Sequence, residues 1–135
     1  MSAPAIRAAL ETALDGMSPS LPTAWENTPY EPTVGTAHQL VALLYADARA
    51  LEISGKWHEE PGLMQVTLRY PKNAGPAAAE TRAELIRSTF KHGSEFTASG
   101  VTVTVSNVPS ITPLPEEDWH TIAVRVPFYS FIRRT

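Results

Sequence analysis

The chain has 135 residues, of which 43% are hydrophobic, and this length and composition suit one domain with one core. It contains no cysteine, which excludes a disulfide scaffold and any thiolate metal site. The formal net charge is -3, without the basic stripe of a nucleic-acid-binding protein, and no apolar run approaches the roughly 20 residues that span a bilayer. We therefore expect a single domain over residues 1–135, with no signal peptide and no membrane segment.

The N-terminal segment predicts a helix over residues 4–15. Pro4 suits the first helical position, and Gly16 suits the cap that follows the last turn. Apolar residues recur at helical spacing and form one stripe for packing on a sheet: Ile6, Leu10, Leu14 and Met17.

Residues 17–37 contain four prolines, which predict an extended and irregular connection. We expect Trp25 to lie on a short strand there and to anchor that strand by its burial.

Residues 38–53 are compatible with two structures. Their many Ala, Leu, Glu and Arg residues favour a helix, whereas the run from Leu40 to Tyr45 suits a strand that is buried on both faces.

A loop is predicted over residues 54–62, followed by a half-buried strand. Apolar and polar residues alternate from Met64 to Tyr70, and the segment from Pro71 to Pro76 ends the strand. A second helix is predicted over residues 76–91, and we expect it to bury Ile86 and Phe90 against the sheet. The whole apolar stripe of this helix is Ala79, Ala83, Ile86 and Phe90.

The rest of the chain predicts strands. A short strand around Phe96 precedes a tight turn at Ser99-Gly100, and a long strand runs from Trp119 to Ile132. Alternation assigns the valines at 101, 103 and 105 to one face of a strand, and it assigns one face of the long strand to Ile122, Val124, Val126 and Phe128. Pro127 cannot donate to a ladder, so it predicts an edge or a bulge.

The residues that often carry chemistry do not form a recognisable catalytic or metal motif. His58, Glu59 and Glu60 are adjacent in a predicted loop, which is not the spacing of a zinc site. His92 suits the negative end of the second helix, and His120 is expected to be exposed at the start of a strand. The sequence has no nucleophile elbow and no phosphate-binding loop. We therefore predict that the protein is not an enzyme and that it needs no metal and no cofactor.

Short motifs are spaced along most of the chain between the first helix and the last strand. They are Trp25-Glu26-Asn27, Tyr30-Glu31-Pro32 with Gly35, Gly62 to Val66, Tyr70-Pro71, and Trp119 with the strand after it. In order and spacing they resemble the tail terminator (minor tail protein U-like) family of long-tailed phages and prophages. His38 departs from this pattern, in which a bulky aromatic residue is expected to open the strand.

This resemblance implies an α+β fold in which two α-helices pack on an antiparallel or mixed β-sheet with a long β-hairpin loop. It implies a strand over Leu40–Ala46, against the helix propensity of that segment. It also implies a structural protein that forms a ring, typically a hexamer, on the end of the tail tube. The ring would stop tube growth and offer a surface to the head connector, in the virion tail and, during assembly, in the host cytoplasm.

The partners implied are further copies of the chain, the tail tube protein and the head–tail connector protein. Genomic DNA would pass through the ring without sequence-specific binding. Two alternatives remain: a head–tail joining or tail-completion protein of similar fold, and a small metal-dependent hydrolase that uses His58 and nearby carboxylates.

The loop from Ser54 to Pro61 is the candidate assembly interface. Trp57 would be its anchor, with His58, Glu59 and Glu60 as a polar rim that selects the partner by charge. The sequence leaves two interpretations open, because Trp57 would either contact a neighbouring subunit or cover the edge of its own core.

Overall fold

The computed structural model describes residues 2–17, 21–27, 31, 36–50, 57–73 and 75–133. These residues form two helices and eight strands. They are α1 (Ser2–Asp15), β1 (Thr23–Ala24), β2 (His38–Tyr45), β3 (Arg49–Ala50), β4 (Trp57–Pro71), α2 (Ala77–Thr89), β5 (Glu95–Ala98), β6 (Val101–Val105), β7 (Ser110–Leu114) and β8 (Trp119–Arg133).

All eight strands belong to one mixed sheet. Its main order is β1-β2-β4-β8-β6-β5, with β3 paired to β4 and β7 paired to β8. The pairing of β1 with β2 is parallel, and the other pairings are antiparallel. The predicted α+β class with a mixed sheet and two helices is confirmed.

Strand β2 shows that tertiary context overrides helix propensity. It pairs with β4 from His38↔Arg69 to Tyr45↔Gly62, so the predicted strand is confirmed. Val41 and Leu43 face the core at 3% and 5% exposure. A helix in this segment would leave β4 without a backbone partner on that side, which is why the sheet determines the conformation.

Both helices pack on one face of the sheet, the inner face. Helix α1 lies against β5 and β6, and α2 lies against β8 and β4. The two predicted apolar stripes are confirmed, since Ile6, Leu10, Ile86 and Phe90 are fully buried. Phe90 follows the last turn of α2 and its ring lies 5.0 Å from that of Phe96, centroid to centroid. Helix α2 therefore ties the end of β5 to the centre of the core.

The hairpin between β5 and β6 turns as the sequence predicts. Ser99 and Gly100 both have positive φ, at 51° and 78°, and two such residues make a tight turn whose twist matches the flanking strands. The alternation in β6 is also confirmed, because Val103 and Val105 are buried.

The prediction for Pro127 is wrong, because β8 is an interior strand without a bulge at this position. It pairs with β4 along its whole length, and on its other side with β7 up to Arg125 and with β6 from Phe128. Pro127 lies between these two partners, and its carbonyl oxygen accepts a hydrogen bond of 3.0 Å from the amide of Ser106. Since the N–H and C=O of a strand residue point to the same side, the missing donor falls at the gap between β7 and β6.

The predicted loop over residues 54–62 is also corrected. Residues 57–62 are the first part of β4, because β8 pairs with them from Trp57↔Arg133 to Gly62↔Phe128. Strand β3 pairs with this part of β4 on the other side. The connection between β3 and β4 is residues 51–56, which lie outside the described residues, as do Ser54 and the tip of the predicted hairpin loop.

Glu26, from one of the short motifs, closes the open edge of β2. Its Oε1 accepts a 2.7 Å hydrogen bond from the amide of Leu43 and a 2.9 Å hydrogen bond from Nη1 of Arg7 in α1. The hydrogen bond from the Leu43 amide is the main reason why the pKa of Glu26 lies below its usual value. The motif is therefore explained by a contact between helix and sheet edge.

Candidate assembly surface

Strands β4 and β8 form a two-stranded ribbon that extends beyond the end of β2. Their pairing runs from Trp57↔Arg133 to Pro71↔Trp119, whereas β2 ends opposite Gly62. Paired residues lie on the same face, so the register assigns each side chain to the inner face or to the opposite, outer face. The outer face carries no helix among the described residues.

Three large apolar side chains of the outer face are exposed at this end of the sheet. Leu44 is 55% exposed, Trp57 is 42% exposed and Phe131 is 49% exposed. Pro61, Leu63 and Tyr129 are half-buried between them on the same face. We call these six residues the outer apolar patch. Contiguous exposed apolar side chains of this kind are typical of interaction surfaces.

Aromatic rings give the patch a defined shape. The Tyr129 and Phe131 rings stack along β8 with centroids 5.1 Å apart and planes tilted by 57°. Phe131 is paired with Glu59, so one carboxylate lies within the apolar surface. A rigid aromatic surface with a polar group beside it is the composition of protein interfaces.

The structure brings only two of the four predicted interface residues onto this patch surface. Trp57 and Glu59 are on the outer face, whereas His58 and Glu60 are on the inner face with Ile132 and Ser130. His58 Nε2 lies 3.1 Å from Glu60 Oε1, so these two side chains contact each other. His58 and Glu60 therefore do not border the patch together with Glu59, because neighbouring residues of a strand lie on opposite faces.

Leu44, Tyr129 and Phe131 were missed by the sequence analysis. The available signal is the alternation in β8. Because Ile122 to Phe128 occupy the inner face at even positions, aromatic residues at 129 and 131 must face outward. Leu44 carries no comparable signal, because β2 has apolar residues on both faces.

The other end of the outer face is polar and internally bonded. Arg69 donates to both carboxylate oxygens of Glu116, at 2.9 Å and 3.0 Å, and Thr121 donates to the same carboxylate. The Thr121 hydrogen bond, followed by the Arg69 bonds, lowers the pKa of Glu116. Nearby, Arg125 donates to Gln65 at 3.1 Å. The charges of Arg69 and Glu116 thus neutralise each other, and Arg125 is hydrogen-bonded to uncharged neighbours.

His38 lies in this polar region, and the structure explains the departure from the family pattern. The side chain is fully buried, and its ring makes an edge-on contact with Trp119 at a centroid distance of 4.8 Å. The imidazole therefore takes the place of the expected aromatic residue in local packing. His120 also differs from expectation, since it is partly buried and its Nε2 atom is not exposed.

The described residues do not include three His, Asp or Glu side chains grouped closely enough to bind a metal ion. His92 follows the end of α2, as predicted, and its side chain is exposed.

No helix in the described part of the chain is long and apolar enough to cross a membrane.

A shallow groove lies at the β5 edge of the sheet, between that strand and α1. Its volume is about 460 Å³, and it is lined by Ala8, Ala9, Thr12, Ala13 and the four residues of β5. The small side chains of α1 leave this space open, and Phe96 and Ala98 supply an apolar floor. The groove lies at the β5 edge of the sheet, whereas the outer apolar patch lies on β2, β4 and β8.

Comparison with known proteins identifies the family of this chain. A family model described as phage tail terminator protein matches residues 5–128. The chain belongs to the phage tail terminator family. It is accordingly a structural component of a phage tail that contacts other tail or head proteins.

One solved structure supports the fold. It is 24% identical in sequence, it superposes with a TM-score of 0.76, and the match covers 96% of this chain and 95% of the other. At this identity the likeness shows a shared fold alone. No curated protein matches the chain.

Proposed function

We propose that this protein caps the tail tube as a ring, ends tube growth and provides the surface to which the head connector attaches. The observation that carries this proposal is the outer apolar patch on a chain of the terminator family. This proposed role is structural, so it requires neither a cofactor nor a catalytic residue. The resemblance to the family implies that the ring has six copies.

A closed ring requires two different surfaces on each subunit, because each contact joins one face to another by rotation. The outer apolar patch supplies the first surface, with Trp57 and Phe131 as anchors. The groove between α1 and β5 supplies the second, since it is open, has an apolar floor and lies at the β5 edge of the sheet, away from the patch. In this proposal, the patch of one copy docks into the groove of the next copy.

The chemistry of the two surfaces supports this pairing. Trp57 and Phe131 expose large apolar area, and tryptophan anchors are typical of binding hot spots. The alanines of α1 let a neighbouring side chain approach the helix backbone closely. Glu59 lies beside Phe131 within the apolar surface, and its charge would affect partner choice more than affinity.

A complementation experiment tests this arrangement. Trp57→Ala removes the anchor from the patch, and Ala8→Glu adds bulk and charge to the groove at an exposed helical position that tolerates glutamate. Neither variant should form rings at concentrations where the native chain does, as measured by light scattering and electron microscopy. An equimolar mixture should form dimers, because each mixed pair retains one intact contact.

Val108→Ala is the matched control, since Val108 is 54% exposed but lies outside both surfaces. This variant should assemble normally. Rings of Trp57→Ala, or a mixture that stays monomeric, would contradict the proposed contact. Native rings that bind a head portal but fail to cap purified tail tubes would favour the alternative of a head–tail joining protein.

A further inference from the structure

A second cavity lies on the inner face, where α2 passes over β7 and β8. It has a volume of about 240 Å³ and is lined by Glu80, Glu84, Ile111, Pro113, His120 and Ile122. The register Ile111↔Val124 and Pro113↔Ile122 directs the β7 side chains toward α2. The walls formed by β7 and β8 are therefore largely apolar.

The rim of this cavity carries negative charge. Glu80 and Glu84 are four residues apart on α2, so both carboxylates lie on one side of the helix. Glu84 shares an exposed ion pair of 3.1 Å with Arg87, whose guanidinium does not line the cavity. None of the described residues forms an ion pair with Glu80.

A third polar group lies at the same place. The His120 ring lines the cavity, and its Nε2 atom is buried without a hydrogen-bond partner in the described ranges. A buried nitrogen of this kind is destabilising unless a partner is supplied. The tautomer with an unprotonated Nε2 offers an acceptor.

We propose that this cavity binds a lysine or arginine side chain of a partner protein. Its volume is below the roughly 300–1,000 Å³ of small-molecule sites, and it suits one long side chain. Ile111 and Ile122 would contact the methylene stem, and Glu80 and Glu84 would pair with the cationic head group. Because Nε2 is closed to solvent in the free chain, the His120 ring would have to turn toward the cavity to accept a hydrogen bond from the same head group.

This site is separate from the proposed ring contact. Ile122 is paired with Leu68, which lies eleven positions along β4 from Trp57, or roughly 35 Å at strand spacing. It is also on the inner face, whereas the patch is on the outer face. Failure of one proposal would therefore leave the other standing.

Methyl NMR of the native chain tests the proposal. The probe is N-acetyl-arginine amide, and the signals are the methyl groups of Ile111 and Ile122. Saturable shifts at both residues are expected. N-acetyl-citrulline amide has the same shape without the charge and should bind at least about tenfold more weakly, since a tenfold change corresponds to about 1.4 kcal/mol.

Two exposed substitutions sharpen this test without disturbing the core. Glu80→Gln and Glu84→Gln together should weaken arginine-amide binding about tenfold. Glu95→Gln removes an exposed carboxylate of β5 and should leave binding unchanged. Equal binding of the citrulline compound, or no saturable shift at either isoleucine, would overturn the proposal.

Discussion

The two ends of the outer sheet face lie on the same strands but differ in how their side chains are satisfied. At one end, Arg69, Glu116 and Thr121 bond to one another, so their charges and hydroxyl groups are satisfied within the chain. At the other end, Trp57 and Phe131 remain substantially exposed. Within the described part of the chain, neighbouring groups cover these two side chains far less completely than they cover the side chains of the inner core.

This difference shows what each end can do. A bonded polar surface needs no partner, because water and neighbouring side chains already satisfy it. An exposed apolar surface gains free energy when another molecule covers it. We therefore interpret the polar end as part of the fold and the apolar end as the surface for assembly. Four substitutions test this distinction.

A substitution in the inner core gives the largest loss of stability expected in these tests. Phe90→Ala should destabilise the protein by roughly 3–5 kcal/mol, because the ring is fully buried and its removal leaves a cavity. Chemical denaturation measures this change, and Val108→Ala should shift the free energy of unfolding by less than about 0.5 kcal/mol. A small effect of Phe90→Ala would mean that the core does not depend on this side chain.

Gly62→Ala tests the junction where β2 ends and the ribbon continues. A Cβ at this position would lie 2.5 Å from the carbonyl oxygen of Leu44 and 2.8 Å from Cζ of Phe128. The resulting overpacking should cost about 1–3 kcal/mol in a denaturant melt. An unchanged unfolding midpoint would show that the two strands can separate without loss, and that the junction is not rigid.

Glu116→Gln tests the polar end. It should cost about 1 kcal/mol near pH 7, because the bidentate bond with Arg69 loses its charge. The folded state lowers the pKa of Glu116 from 4.5, so its contribution is present above that pH. That contribution is lost as the pH falls through the lower folded-state pKa.

The difference between native and Glu116→Gln stability should therefore shrink in acid, as measured by urea melts between pH 7 and pH 3. Glu117→Gln is the matched control, since Glu117 is exposed and its side chain has no partner among the described residues. A constant difference across this range would show that the charge of Glu116 does not stabilise the fold.

The smallest change in stability is expected at the apolar end. Trp57→Ala should alter the free energy of unfolding by less than about 1 kcal/mol, because the side chain is 42% exposed. Ring formation should nevertheless be lost. A loss of stability of more than about 2 kcal/mol would instead assign Trp57 to the core of its own subunit, which is the second interpretation that the sequence allowed.

The sequence by itself determined the elements whose periodicity is unambiguous. Alternation of side chains located the main parts of β4, β6 and β8, and helical spacing located the buried stripes of α1 and α2, because burial on one face imposes one period. The turn at Ser99-Gly100 also followed from residue type, since its backbone requires positive φ.

Only the tertiary structure decided the features that depend on a neighbouring element. Leu40 to Tyr45 suited a helix or a strand until β4 supplied the backbone partner. Trp57 to Glu60 resembled a loop until pairing with β8 placed Trp57 with Phe131 and sent His58 to the inner face. Pairing across strands joins residues that are far apart in the chain, and no local pattern specifies which residues of different strands will lie side by side.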